Sequence, residues 1–275
     1  MSFSSCFSAV LPSSLPSSFP IISSFGFSDL MVGALCTSLI YSGAMTEESQ
    51  QEGVLYMVAT PIGNLEDITL RAIRMLKEAD EIFCEDTRVT KKLFNAYEIE
   101  TPLTRLDAHI ENVQSNKVIE FLNEGKSVAY VSDAGTPCVS DPGYRLVRAV
   151  REAGFRVEVI PGASSVTAAL SIAGIPADNF LFLGFLPHKK GRQTKLKEIA
   201  NTKYTVVLFE SKHRILRLLK ELEEYIGNRS IVVTRELTKK FEEVLSGSAM
   251  DILNKFEKAP EKQKGEFVVI IEPTS

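Results

Sequence analysis

The chain has 275 residues, 44% of them hydrophobic and 24% charged, and a formal net charge of −4. That is globular composition with enough apolar residues for one large or two small cores, and it excludes a protein that coats nucleic acid with its whole basic surface, so any such contact must come from a local patch. Its cysteines (Cys6, Cys36, Cys84 and Cys138) contain no CxxC pair, which argues against a disulfide framework or a zinc site and fits a reducing compartment.

Residues 1–50 differ from the rest. They are rich in Ser, Phe and Pro, and carry Asp29, Glu47 and Glu48 with no Lys or Arg, hence −3 of the net charge and only −1 for the remainder. The first basic residue is Arg71, so the basic start of a secretory signal is absent. The apolar stretch 30–41 is too short to span a bilayer. Residues 1–52 are expected to be a low-complexity, disordered extension. Two readings of it stay open: an upstream segment with Met45 as the true start, or a transit peptide, Ser-rich and acid-poor but without the usual arginines.

From Val54 onward, strands and helices are expected to alternate. Val54–Val58 is a short apolar run ending at Thr60-Pro61, a buried strand. Asp67 is expected to N-cap a helix with Leu70, Ile73 and Leu76 on one face. Glu81–Cys84 is a short strand, followed by a helix that Asp86 can cap. Residues 128–131 form another buried strand, 142–153 a helix closed by Gly154, 157–160 a strand, and 163–173 a helix of small residues stopped by Gly174 and Pro176.

A second set follows: strands at Phe180–Phe185, 205–209 and 231–234. Ile215, Leu218, Leu219, Leu222 and Ile226 line one face of a long helix, with Ser211 as its cap and Gly227 as its stop. Residues 244–245 and 267–271 are two more strands, expected near a sheet edge. The pattern predicts α/β architecture in two domains, 53–175 and 176–275, with parallel or mixed sheets covered by helices. In such folds ligands sit beyond the carboxyl ends of strands or between domains, which directs attention to the segments after Val58, Val131, Ile160 and Phe209.

The segment Ser132-Asp133-Ala134-Gly135-Thr136-Pro137-Cys138-Val139-Ser140-Asp141-Pro142-Gly143 brings bare backbone to a ligand at Gly135, and Asp133 can accept from a ribose or an amino group. It also reads as a long turn. No GxGxxG is present, which argues against a dinucleotide oxidoreductase. Pro161-Gly162-Ala163-Ser164-Ser165 offers free N–H donors and two hydroxyls at a helix start. It has no Lys or Arg, so a neutral or zwitterionic ligand suits it better than phosphate. Gly125-Lys126-Ser127 is no phosphate loop, because Glu120 stands where a Gly is required and the segment precedes its strand.

In Phe209-Glu210-Ser211-Lys212-His213-Arg214, cations crowd a helix start, where the macrodipole disfavours them. A polyanionic substrate or pairing with acids elsewhere would each account for that. Pro187-His188-Lys189-Lys190-Gly191-Arg192-Gln193-Thr194-Lys195-Leu196-Lys197 is the densest basic stretch. It reads either as a solvated loop or as a phosphate-contacting one that Arg235, Lys239 and Lys240 could extend. Glu85-Asp86-Thr87-Arg88 suits a polar site or a plain capped helix start. The histidines (His109, His188 and His213) are not at ligand spacing, so no metal site is expected.

Taken in order, Val58–Leu65, Glu85–Arg88, Ser132–Pro142, Pro161–Leu170, Phe209–Ile215 and Gly265–Ile271 resemble the ribosomal small-subunit RNA cytidine 2′-O-methyltransferase family, part of the tetrapyrrole-methylase superfamily. The resemblance runs from about Val54 to the C-terminus and leaves the N-terminal extension outside it. It implies two α/β domains with S-adenosylmethionine in the cleft between them, a cytoplasmic homodimer (organellar if 1–44 is a transit peptide), no membrane, and ribosomal RNA or the assembled small subunit as substrate. By motif, Pro61, Asp133, Ala134, Gly135, Thr136, Val139, Ser164, Ser165 and Glu210 would hold the cofactor. Lys189, Lys190, Arg192, Lys212 and Arg214 would hold RNA. Asp86 would be the proton acceptor, with Arg88 placing the phosphate or ribose and Glu210 as the alternative base. The family pattern of His, a polar residue and Glu reads His109-Ile110-Glu111 here, with an apolar residue in the middle. The competing readings are a methylase of a small tetrapyrrole and a non-catalytic cofactor- and RNA-binding protein.

Overall fold

The computed structural model describes residues 53–106 and 111–274, with backbone alone for 111–114. The expectations for residues 1–52, and for His109 and Ile110, lie outside these residues.

Two five-stranded sheets carry the chain. The first is wholly parallel, in the order β3-β2-β4-β1-β5. Its strands are β1 (Val54–Val58), β2 (Glu81–Cys84), β3 (Leu103–Arg105), β4 (Ser127–Val131) and β5 (Arg156–Ile160). Helices α1 (Leu70–Glu78), α2 (Thr87–Tyr97), α3 (Glu111–Asn123) and α4 (Tyr144–Glu152) make the crossovers. Alternate side chains feed opposite faces, as the two-residue strand period requires. Val128 and Tyr130 enter one core with Leu55 and Phe83, whereas Ala129 and Val131 enter the other with Ile82 and Cys84. Burial on both faces is why these strands read as unbroken apolar runs.

The second sheet is mixed, in the order β6-β7-β10-β8-β9. It contains β6 (Phe180–Phe185), β7 (Thr205–Ser211), β8 (Ile231–Arg235), β9 (Glu243–Gly247) and β10 (Glu266–Ile271). Helices α6 (Arg192–Asn201), α7 (Ile215–Ile226) and α8 (Ala249–Lys258) intervene in the chain. Val206 and Leu208 of β7 pack with Leu218, Leu222 and Phe256 in one core. On the other face Val207, Val232, Val268 and Ile270 pack with Val166 and Ala169 of α5 (Ser165–Ala173), and with Ile62 from the first sheet's first loop. All of this lies within one compact unit.

Three local expectations are corrected. Thr69, not Asp67, caps α1, its hydroxyl accepting from the Ala72 N–H at 3.0 Å. Ala72 and Leu76, four residues apart on one face, are buried, while Leu70 is 87% exposed. Ser211 does not cap α7. It ends β7, and α7 begins after Arg214 without a side-chain cap. Finally, β10 is central, pairing antiparallel with both β7 and β8. Its run Phe-Val-Val-Ile-Ile is buried throughout, and that continuity marks a strand covered on both faces. The other strand expected at an edge, β9, is at one.

Candidate active site

Three loops, at the carboxyl ends of β1, β4 and β5, are tied together by hydrogen bonds. Thr60, after β1, forms an antiparallel bridge with Gly135, after β4, through N–H to carbonyl bonds of 2.9 and 3.1 Å. The Thr60 hydroxyl donates to the Ser132 carbonyl, and the Thr136 hydroxyl to the Ala163 carbonyl. Gly135 has φ +79, and Cys138 and Ser140 are also in the left-handed region, at +70 and +63. Such a concentration of costly backbone in one loop is typical of a site whose shape serves a ligand.

The second sheet meets this loop at an irregularity. Strand β6 shifts register between Phe182 and Gly184, and a Cβ on Gly184 would lie 2.6 Å from the Ser140 hydroxyl. Between the two sides lies a cleft of about 630 Å³, within the usual range for small-molecule sites. Ala134, Gly135, Thr136 and Val139 line it from the long loop, and Ser164 and Ser165 from the start of α5. Across from them stand Glu210, Lys212 and His213 at the end of β7, with Phe185 and Phe209 packed edge to face at 5.7 Å. Eight of the residues selected from sequence therefore come together here. Pro61 precedes the lining residue Ile62, and Asp133 precedes Ala134. Phe185, Glu236 and Lys264 also line the cleft. No local pattern singled them out, because their position depends on how the sheets meet.

Glu210 is the buried charge of the cleft, at 2% exposure. One carboxylate oxygen accepts from the Ser211 N–H at 2.8 Å and lies 3.3 Å from Nε of Arg214. The other oxygen is buried without a hydrogen-bond partner, 3.9 Å from Arg192. A buried acceptor with unused capacity beside a cavity is what an ammonium or hydroxyl donor of a ligand would satisfy.

Two of the residues expected to hold RNA do other work. Arg192 is 1% exposed, donating through Nε to Glu221 at 2.8 Å and through Nη1 to the Pro187 carbonyl at 3.2 Å. Arg214 pairs with Glu210 and donates to the Leu186 carbonyl. Both hold the 186–190 loop from beneath, so for Arg214 it is pairing with an acid that accounts for the cation. Burial raises the Glu221 carboxyl, but hydrogen bonds from Arg192 and Arg217 outweigh it and leave the group below its ordinary value. Lys189, Lys190 and Lys212 are exposed. Arg235 is turned to the carbonyls of Lys264 and Phe241, and Lys239 to Glu236 and Glu266.

A second polar group sits at the ends of β2 and β4. Asp86 caps α2 through the Arg88 N–H at 2.8 Å, and Arg88 Nε and Nη2 reach both of its oxygens. That guanidinium holds the Asp86 carboxyl far below the usual carboxylate range. Such a group is a very weak base, so Asp86 is corrected from proton acceptor to partner of Arg88. The Asp86 N–H donates to Oδ1 of Asp133 at 3.1 Å. Burial pushes Asp133 above its ordinary value, and the Asp86 charge adds to this, against the Asp86 N–H bond and the Arg105 and Arg88 charges. Burial likewise raises Asp141, which lines the cleft. Among the described residues no cluster of three His, Cys, Asp or Glu is placed to hold a metal, and no helix is long and apolar enough to cross a membrane.

The family model of tetrapyrrole (corrin/porphyrin) methylases matches residues 54–253. A protein of Halalkalibacterium halodurans named ribosomal RNA small subunit methyltransferase I is 46% identical over 232 residues, covering 82% of this chain and 80% of that one. One of the same name from Neisseria meningitidis serogroup B is 46% identical over 222 residues, covering 80% and 76%. Among solved structures, a cobalamin biosynthetic enzyme, cobalt precorrin-4 methyltransferase, superposes with a TM-score of 0.61 at 21% identity, covering 84% of this chain and 98% of its own. That likeness is one of fold. With two facing α/β sheets around a strained loop, and a match of this extent, the chain belongs to the tetrapyrrole methylase family and, within it, to the group of the small-subunit ribosomal RNA methyltransferases I.

Proposed function

We propose that the protein transfers a methyl group from S-adenosylmethionine to the 2′-hydroxyl of a cytidine in small-subunit (16S) ribosomal RNA, acting as a cytoplasmic homodimer. The observation that carries the reading is the cleft itself. Its buried acceptor at Glu210, its bare backbone at Gly135 and its hydroxyls at Ser164 and Ser165 suit a zwitterionic nucleoside without phosphates. Ala134, Thr136 and Val139 would flank that ligand, with Phe185 and Phe209 as an apolar wall, while Pro61 fixes the loop behind Ile62. The names of the relatives at 46% identity supply the substrate class.

The cofactor, when bound, supplies a methyl group already activated on a positively charged sulfur. The protein's remaining task is alignment of the acceptor hydroxyl, with reacting atoms roughly 3 Å apart, and exclusion of water. Arg88, anchored by Asp86, is exposed, and Asp86 in turn bonds Asp133, the neighbour of the cleft residue Ala134, so Arg88 would place a phosphate or ribose of the substrate. The loop that Arg192 and Arg214 hold from beneath presents Lys189 and Lys190 outward, with Lys212 beside it at the cleft.

The test is transfer of radiolabelled methyl to small ribosomal subunits lacking the modification, followed by nucleoside analysis. Labelled 2′-O-methylcytidine is the expected product. Label in a tetrapyrrole and none in RNA would overturn the substrate, and cofactor binding without label in either would overturn the enzyme. Replacing Lys189 and Lys190 together by Ala should weaken RNA binding and flatten the slope of log affinity against log salt by about 1.5 to 2, with the melting temperature unchanged. An unaltered slope in a filter-binding titration would remove both lysines from the interface.

A further inference from the structure

Resting on the proposed RNA methylation, we infer that Asp133 is the group that takes the proton from the substrate hydroxyl, and that Asp86 and Arg88 hold it and the substrate in place. The argument is geometric. An acceptor for this proton must face the substrate yet stand just outside the cavity that the cofactor fills. Asp133 meets both conditions: it is exposed, it does not line the cleft, and the next residue, Ala134, does. It stands two residues beyond β4, the middle strand of its sheet. The Asp86 N–H takes only Oδ1 and orients the carboxylate.

The other carboxylates nearby are less suited. Both oxygens of Asp86 are taken by Arg88 and by the first turn of α2. Asp141 lines the cavity and lies on the cofactor's side. Glu210 is buried beneath the cleft between Arg192 and Arg214. The charged and titratable groups facing Asp133 are Asp86 and Arg88 after β2, Arg105 at the end of β3, Cys84 in β2, and Asp141 in its own loop. Partial burial and the Asp86 charge outweigh the Asp86 N–H bond and the Arg105 and Arg88 charges, and make Asp133 a stronger base than an ordinary Asp.

In the step, the ribose 2′-oxygen forms its bond to the methyl carbon as the carbon–sulfur bond breaks, its electron pair passing to sulfur and cancelling the positive charge. The hydroxyl proton moves to the Asp133 carboxylate and from there to solvent. Atoms and charge balance without a further reactant.

The experiment compares wild type, Asp133→Asn and Asp133→Ala on small subunits lacking the modification, with binding of S-adenosylhomocysteine measured by calorimetry. Asp133→Asn keeps an acceptor for the Asp86 N–H and should fold. It should lose about 10²- to 10⁴-fold in kcat with affinity for S-adenosylhomocysteine held within about twofold. The wild-type rate should rise with pH along a limb above the ordinary Asp range of about 3.9, and that limb should vanish in Asp133→Asn. Added formate should restore part of the turnover of Asp133→Ala, an effect that a purely structural role would not produce. Turnover of Asp133→Asn within a few-fold of wild type would overturn the proton-acceptor role and leave the methylation reading standing. Loss of cofactor affinity matching the loss of rate would overturn it in favour of cofactor binding. A wild-type protein that methylates no RNA would sink both.

Discussion

Arg192→Met is expected to lower stability by about 3–5 kcal/mol, the usual cost of removing one partner from a buried ion pair. The guanidinium is 1% exposed and lies within 2.8 Å of Glu221 and 3.9 Å of Glu210. Methionine fills much of the volume but leaves the buried Glu210 facing Arg214 alone and the Pro187 carbonyl without its donor. At about 2–4 °C per kcal/mol for a folded chain of this size, the melting temperature should fall by roughly 6–20 °C. Calorimetry at fixed protein concentration reads this directly. If Arg192 were an RNA contact, the variant would melt like wild type and lose about one unit of salt slope. That pattern would refute the buried-network account.

Gly135→Val should abolish cofactor binding in the same calorimetric titration and destabilise the fold by about 2–5 kcal/mol. A β-branched residue at φ +79 is a backbone outlier, with about 1–2 kcal/mol lost for the left-handed conformation alone. The new Cβ would also stand a tight 3.3 Å from Ile62 Cγ2, and overpacking by the valine methyls adds roughly 1–3 kcal/mol. The clash falls where the Thr60–Gly135 bridge joins the two loops, so a stable variant must open the cleft wall. Unchanged affinity for S-adenosylhomocysteine would mean that this loop does not touch the cofactor.

How legible each part was follows from the range of the interaction that decides it. The strands β1, β2 and β4, the face of α7 formed by Ile215, Leu218, Leu219 and Leu222, and the stop at Gly227 are set by periodicity and by conformational preference within a few residues. The Gly/Pro loop after β4 was legible for the same reason, since left-handed backbone favours residues such as Gly135 and Gly143. The start of α1 is ambiguous along the chain because Asp67 and Thr69 are both good caps, and only the packing of Ala72 and Leu76 against the first sheet selects between them.

The basic residues show the limit most plainly. Lys189, Lys190, Arg192, Lys212 and Arg214 look alike along the chain, and a charge carries no mark of whether it will meet water, RNA or a carboxylate. Glu210 and Glu221 come from separate elements, and only after β7 and α7 fold do they stand beneath the 186–190 loop. Arg192 and Arg214 are then drawn inward, because a buried carboxylate requires a partner, while the lysines stay outside. The same reason governs Asp86 and Asp133. Sequence marks both as acids at strand ends, but which of them can accept a proton depends on Arg88 reaching back to Asp86 and on the parallel pairing that sets β2 beside β4. Local patterning thus settles which elements form and where the chain turns tightly. The partner of each charge, and with it the division between binding, support and chemistry, is settled by contacts between residues far apart in the chain.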